Sequence, residues 1–384
     1  MQRILILGGG VGGTLTANLL AKKLRGPIES RDVSVTVVDQ TGQHTYQPGF
    51  MYIAMGHERA ERLQRPERSL LDRRVELVVG AASRIDEAAR TVTLEDGRRL
   101  PYDHLVLATG SRIVPEEIPF FDQEAHHFYT AEAALRLRRA LDAFTGGKVV
   151  IGIAGMPYKC PPAPLEVAFL IEAELRERGL RGRSEVHFCS PIGRAFTIET
   201  VSEMATPILE QKGIELHTFV NIETIDPERR VVQSLEGEEF AYDLLVLVPP
   251  HRGARVVIDS GLAPPSGWLP TDQHTLQVGG RPNVYAIGDA TDLPISKAGS
   301  TAHFEAPVVA ERIAASVRGR EPDAKAGNYQ GKVVCFFEIG DGKGTLLRFD
   351  YLNPPHPPKP NRIWHLGKIV FNRTYWFTVP KGRV

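Results

Sequence analysis

Short apolar runs alternate along this chain with stretches whose apolar residues recur every three or four positions. Arg3–Leu7 is the first such run. After a glycine-rich turn, Leu15, Leu19 and Leu20 fall on one side of a helix reaching about Leu24. A second strand, Ser34–Val38, ends in Asp39. The alternation resumes with the strand Lys148–Ala154 and a helix carrying Val167, Phe169, Leu170 and Ile171 to about Arg178. Glu185–Cys189, a helix around Ser202–Lys212 and the apolar strand Leu244–Val248 follow. Late in the chain, Asn283–Ala286 precedes a helix from about His303 to Ser316. Strands that alternate with helices predict parallel sheets in an α/β fold. Two interruptions read differently. Val75–Val79, Thr91–Leu94 and Arg98–Leu100, with an Asp96-Gly97 turn, predict a small antiparallel meander, and Glu215 to Ser234 predicts another. The order suggests one unit, residues 1–112 and 270–318, split by a second at 113–269, with a C-terminal region at 319–384.

Composition narrows the class. At 384 residues, 42% hydrophobic and 24% charged, the chain is long enough for two or three domains with real cores. A formal net charge of zero argues against a general nucleic-acid binder. No uninterrupted apolar run is long enough to span a membrane. Met1–Gly10 reads as a strand and a turn, not as a signal peptide. Three cysteines are too few for a disulfide-stapled fold, and no metal site is expected.

The turn after the first strand satisfies G-x-G-x-x-G at Gly8, Gly10 and Gly13, and Asp39 closes the second strand 26 residues later. Glycines there let a pyrophosphate sit against the helix N-terminus, and the acid takes a ribose. Ala108-Thr109-Gly110 and Gly288-Asp289, each after an apolar strand, add small residues where a cofactor needs close backbone approach. The second half is built differently. Its strand-to-helix turn keeps only Gly152 and Gly155, then reads Met156-Pro157-Tyr158-Lys159-Cys160-Pro161-Pro162-Ala163-Pro164-Leu165-Glu166. The prolines open the helix and hold Cys160 before its start, where the dipole and Lys159 would lower the thiol pKa. With Cys189-Ser190 in place of an acid, NAD(P)H binding is not expected in this half. Cys335 ends a strand, Lys332–Phe337, 175 residues from Cys160, and its spacing alone leaves it a packed thiol or a redox partner. Cys189 reads as a packed thiol.

Together these motifs resemble two-dinucleotide-binding-domain flavoproteins. Within that group the chain is similar to sulfide:quinone oxidoreductases and to the flavoprotein subunit of flavocytochrome c sulfide dehydrogenase. The specific marks are Lys159–Glu166, Lys297-Ala298-Gly299, and Cys335 with Phe336, Phe337 and Gly340-Asp341-Gly342. The resemblance implies two Rossmann-like domains, with FAD in the first. Gly8, Gly10, Gly13, Asp39, Gln40, Pro48, Ala82, Ala108, Thr109, Gly110, Gly288, Asp289, Lys297 and Ala298 would bind the cofactor. It implies a Cys160–Cys335 redox pair attacked by sulfide, with Cys335 facing the flavin and Lys297 placing positive charge beside it. Glu166 is an acid/base candidate or simply a first-turn glutamate complementing the helix dipole. Many quinone-reducing relatives carry a third cysteine where this chain has Tyr129, so a two-cysteine form is implied.

The last segment bears on the electron acceptor. From Tyr351 to Val384 there are six Lys/Arg residues and no acid, interleaved with Trp364, Phe371, Tyr375, Trp376 and Phe377. A basic, aromatic-rich amphipathic segment reads as one lying on an anionic membrane surface, or as a helix packed on the body with a solvated basic face. Peripheral contact with the cytoplasmic face of a membrane would give access to quinone, with Phe336, Phe371, Tyr375 and Trp376 lining its site. A cytochrome acceptor, a type II NADH dehydrogenase, a persulfide or redox sensor, and a homo-oligomer are the other readings kept.

Overall fold

The computed structural model describes residues 1–383; Val384, the end of the expected membrane segment, lies outside the described residues. Two parallel sheets organise the chain. The first has the order Val284–Ala286, His104–Leu107, Gln2–Leu7, Val33–Asp39, Glu76–Val79. The second runs Ile214–Thr218, Ser184–Ser190, Gly147–Ile153, Leu244–Val248. Strands buried on both faces need apolar residues at successive positions, and Leu244–Val248 is buried throughout. Helix Val11–Lys23 packs with helix Gly299–Val317 on one face of the first sheet, and a separate apolar cluster covers the other.

Two expectations about the meanders are corrected. Glu76–Val79 pairs in parallel with Thr36–Asp39 at the edge of the first sheet, and the first meander is Ala82–Asp86, Thr91–Leu94 and Arg99–Pro101. Likewise Ile214–Thr218 runs parallel to Val186–Ser190, and the second meander is Ile222–Asp226, Val231–Ser234 and Glu239–Ala241. A four- or five-residue apolar run does not encode the direction of its partner.

The late helix begins at Gly299, directly after Lys297-Ala298, and continues through Pro307. A hairpin, Val333–Glu338 with Gly344–Phe349, then lays Phe337 against Phe169 of helix Ala163–Glu177, ring centroids 6.1 Å apart. One core cluster thus joins the second sheet, this helix, the hairpin and the C-terminal Tyr375 and Val379.

Candidate active site

The first turn leaves almost no room for side chains. A Cβ at Gly8 would stand 2.2 Å from the Ala108 carbonyl oxygen, and one at Gly13 would stand 1.8 Å from that of Gly8. At Gly10, by contrast, nothing lies within 4 Å of the Cβ position, and the helix starting there has no side-chain cap. Uncapped N–H groups beside open space suit a pyrophosphate. Asp39 accepts the Gly9 N–H at 2.9 Å through Oδ2, and the Thr41 and Gly42 N–H groups at 2.9 and 2.7 Å through Oδ1. Oδ1 also accepts the Thr41 hydroxyl at 3.0 Å, so it is Oδ2 that keeps a lone pair for a ribose hydroxyl. Thr109 Oγ1 and Glu305 Oε1 are buried without a partner, while the other Glu305 oxygen accepts the Gly288 N–H at 2.5 Å. Burial pushes the Glu305 carboxyl up to about 8. Asp289 stands 3.4 Å from the Ser111 hydroxyl. Cradle, strand-end acid and orphaned polar atoms together fit FAD.

The thiols are brought together by one short segment. Cys160 takes a left-handed backbone conformation, φ 58°, at the turn before helix Ala163–Glu177. Its N–H donates to the Lys297 carbonyl at 2.6 Å. Three residues on, the Ser300 hydroxyl accepts the N–H of Val334, the neighbour of Cys335, at 2.8 Å. Lys297–Ser300 therefore fixes both cysteine-bearing elements. Cys160 and Cys335 are half-buried free thiols against the same core. Cys189 is buried in a different cluster, on the other face of the second sheet.

Their electrostatics correct the sequence expectation. Burial raises the Cys160 thiol, Glu166 and Cys335 raise it further, and only Lys368 and a backbone contact pull it down. Burial and Glu166 push Cys335 up to about 12. Lys159, the cation expected to help, is itself disfavoured by burial, against the attraction of Asp289 and Cys160, and the cation that lowers the thiol is Lys368. Desolvation outweighs the helix dipole here because the turn lies inside the protein. Lys297 is also lowered by burial, to about 8; its ammonium donates to the Asp289 and Thr291 carbonyls and lies 3.9 Å over the Trp268 ring.

Glu166 is buried rather than solvated in its first helical turn. Oε1 accepts the Glu338 N–H at 2.7 Å and the Lys368 ammonium at 2.5 Å. Lys368 also lies 5.5 Å over the Tyr52 ring, and Glu338 accepts from Tyr52 at 3.2 Å and faces His365 Nδ1 at 2.9 Å. Burial raises Glu166 while Lys368 opposes it; burial disfavours the Lys368 charge, yet Glu166, Tyr52 and Glu338 hold that ammonium above its usual range.

A family model described as pyridine nucleotide-disulphide oxidoreductase matches residues 2–310. The chain belongs to that family. It is 26% identical over 412 aligned residues to the sulfide-quinone reductase of Aquifex aeolicus, covering 100% of this chain and 92% of the relative. With the mitochondrial sulfide:quinone oxidoreductase of Mus musculus it shares 24% identity over 363 residues, 92% of this chain and 79% of the relative. The X-ray structure of the sulfide:quinone oxidoreductase from Aquifex aeolicus matches this fold with a TM-score of 0.87 at 23% identity, covering 100% of this chain and 92% of that one. The cofactor of this oxidoreductase is FAD.

Of the expected quinone residues, the oxidoreductase brings Phe336 and Phe371 together, ring centroids 6.1 Å apart. Tyr375 and Trp376 join a different aromatic group, with Tyr46 4.3 Å from Tyr375 and His44 5.7 Å from Trp376. Tyr375 is buried, its hydroxyl 2.7 Å from His44 Nε2, and His44 Nδ1 lies 3.1 Å from Glu67, which accepts from Thr14 of the first helix at 2.6 Å. This chain of contacts fastens the C-terminal segment to the cofactor unit. Gln40 and Pro48 are exposed; Ala82 and Ala108 are half-buried, and Ala298 is buried before the late helix. Tyr129 donates to the Lys159 carbonyl at 3.2 Å, so it braces the thiol turn. Lys368, Glu338, His365, Tyr52 and Ser300 were missed in the sequence. Lys368 is one of the six basic residues of the segment expected on a membrane surface or on a solvated face, and nothing in its spacing marks the glutamate it meets.

The C-terminal helix, Arg362–Thr374, points its apolar stripe outward. Ile363, Leu366 and Val370 are 77%, 59% and 52% exposed, and Phe377 just beyond is 65% exposed. Lys359, Arg362, Arg373, Lys381 and Arg383 of the same segment are also exposed, while Lys368 turns inward. Among the described residues, no helix is long and apolar enough to cross a membrane.

Proposed function

We propose that this oxidoreductase oxidises sulfide at the Cys160–Cys335 pair and passes the electrons through FAD to a quinone drawn from a membrane surface. The observation that carries the reading is the convergence of both thiols on Lys297–Ser300, at a turn where a nicotinamide dinucleotide would otherwise need glycines. FAD, when bound, supplies the two-electron acceptor beside the thiols. Gly8, Gly10, Gly13 and Asp39 would hold its adenosine diphosphate portion, and Thr109, Gly288, Asp289 and Ala298 the flavin end.

The chain's own groups account for the sulfur chemistry. Hydrosulfide attacks one sulfur of the oxidised pair, the S–S bond breaks, and one cysteine keeps the incoming sulfur as a persulfide. The other leaves with the bonding electrons as a thiolate, the form that can pass two electrons on to FAD, while Glu166 would accept the proton the hydrosulfide loses. Lys368 steadies the thiolate, and Glu166, close enough to shift both thiols, moves the proton. Tyr129 and Lys297 hold the turn in place through its backbone.

The acceptor follows from the surface. An exposed apolar stripe on a segment with five exposed basic residues suits an anionic bilayer, and Phe336 with Phe371 would line the quinone site. A cytochrome partner has no use for such a stripe. A type II NADH dehydrogenase needs the glycines that Met156–Cys160 replaces, and a persulfide sensor would not turn over. The test is sulfide-dependent reduction of a quinone analogue. Cys160→Ser and Cys335→Ser should each abolish it while the flavin absorbance stays; near-normal turnover by either variant refutes the pair.

A further inference from the structure

Strand register assembles a second chemical group that the sequence reading, which expected no metal, did not see. In the second sheet His187 lies opposite Glu215, and Cys189 opposite His217. Residues two apart on a strand share a face, so Glu185, His187, Glu215 and His217 all project to one side. His187 Nδ1 lies 3.1 Å from His217 Nε2 and 3.4 Å from Glu215 Oε2, and His217 Nε2 is 3.8 Å from the same oxygen. These three atoms form a nearly regular triangle. A tetrahedral ion about 2.0–2.2 Å from each ligand spaces its ligands roughly 3.3–3.6 Å apart, and the triangle brackets that range.

We propose that His187, His217 and Glu215 bind one divalent transition-metal cation of the zinc class, with a fourth position open to water. The surroundings are those of a built site. The other His187 nitrogen, Nε2, lies 3.7 Å from Glu185 Oε2, which adds negative charge beside the pair without a direct hydrogen bond. Lys148 Nζ, 3.5 Å away, holds Glu185 from the far side. Phe240 meets the His217 ring edge-on at 4.8 Å and fixes its plane. Both imidazoles are half-buried on rigid strands, while Glu215 is exposed, so an ion enters from solvent. Bound there, it clamps the edge strand Ile214–Thr218 to its neighbour. Binding to the folded chain alone also stabilises the thiol-bearing unit by mass action.

The test uses the FAD-loaded full chain carrying Cys160→Ser, Cys189→Ser and Cys335→Ser, which removes all three competing thiols. Calorimetric titration with zinc chloride should show one saturable equivalent, and zinc should raise the thermal midpoint. His217→Gln should abolish both effects. Glu215→Gln, at an exposed position, gives the same reading if a histidine variant fails to retain flavin. Absence of stoichiometric binding, or unchanged affinity in His217→Gln or Glu215→Gln, overturns the proposal.

Discussion

Lys368 and Glu166 meet 2.5 Å apart in the interior, although 202 residues separate them in the chain. Both side chains are more than nine-tenths buried, at 9% and 3% exposure. A buried pair of this kind gives little net stability, but removing one partner strands the other. Lys368→Met or Glu166→Gln alone should therefore cost about 3–5 kcal/mol. The double variant should cost clearly less than the sum of the two, by denaturant unfolding of the flavin-loaded protein. Additive losses would mean that the two groups do not act as a pair.

The same pair sets the thiols. At pH 8 the reduced protein should react slowly with iodoacetamide at Cys335, whose thiol is pushed up to about 12. The rate should climb about tenfold per pH unit, because only the thiolate reacts. Lys368 lowers both thiols and Glu166 raises both. Lys368→Met should thus slow alkylation at fixed pH, and Glu166→Gln should speed it. Shifts of the same sign in the two variants would contradict this electrostatic assignment.

Cys189 separates packing from chemistry. Its side chain is buried in the cluster with Val150 and Leu247. Cys189→Ser puts a hydroxyl there, at a cost of about 1–3 kcal/mol if it finds no partner. Sulfide turnover at 25 °C should nevertheless stay near normal. A folded, flavin-bound but inactive Cys189→Ser protein would show that the redox pair is misassigned.

Membrane contact has two components that salt distinguishes. The exposed basic residues contribute about 1 kcal/mol each near an anionic surface, a contribution that salt weakens. Ile363, Leu366, Val370 and Phe377 contribute an apolar component of about 1.5–3 kcal/mol per buried side chain that salt leaves alone. Liposome co-sedimentation should fall at high salt without vanishing. Leu366→Glu with Val370→Glu should release the protein and slow reoxidation by long-chain quinone, leaving flavin reduction by sulfide largely unchanged. Full liposome binding by the double variant would remove the helix from the docking surface.

Much of the fold was legible because periodicity and glycine spacing are local. Gly8–Gly13, Asp39 and the turn around Cys160 each announce themselves within a few residues. What escaped depends on register and tertiary packing. The parallel partners of Glu76–Val79 and Ile214–Thr218 are invisible in runs so short, and so is the face that gathers His187, Glu215 and His217. The amphipathic pattern after Tyr351 does not say where its helix begins or which way it faces, and Lys368 lies inside because Glu166 and Glu338 lie there to receive it. The lowered thiol pKa failed for a related reason: a helix start lowers a thiol only when water or a cation offsets burial.

Anaerobic titration of the purified flavoprotein, first with sulfide and then in a separate sample with NADH, tests the central claim most directly. Met156–Cys160 stands where a nicotinamide dinucleotide would need its glycines, and the proposal assigns sulfide to the two thiols. Stoichiometric sulfide should bleach the flavin absorbance rapidly, and stoichiometric NADH should leave it unchanged. Rapid bleaching by NADH, with sulfide inert, would contradict the account and make the chain a nicotinamide-dependent dehydrogenase.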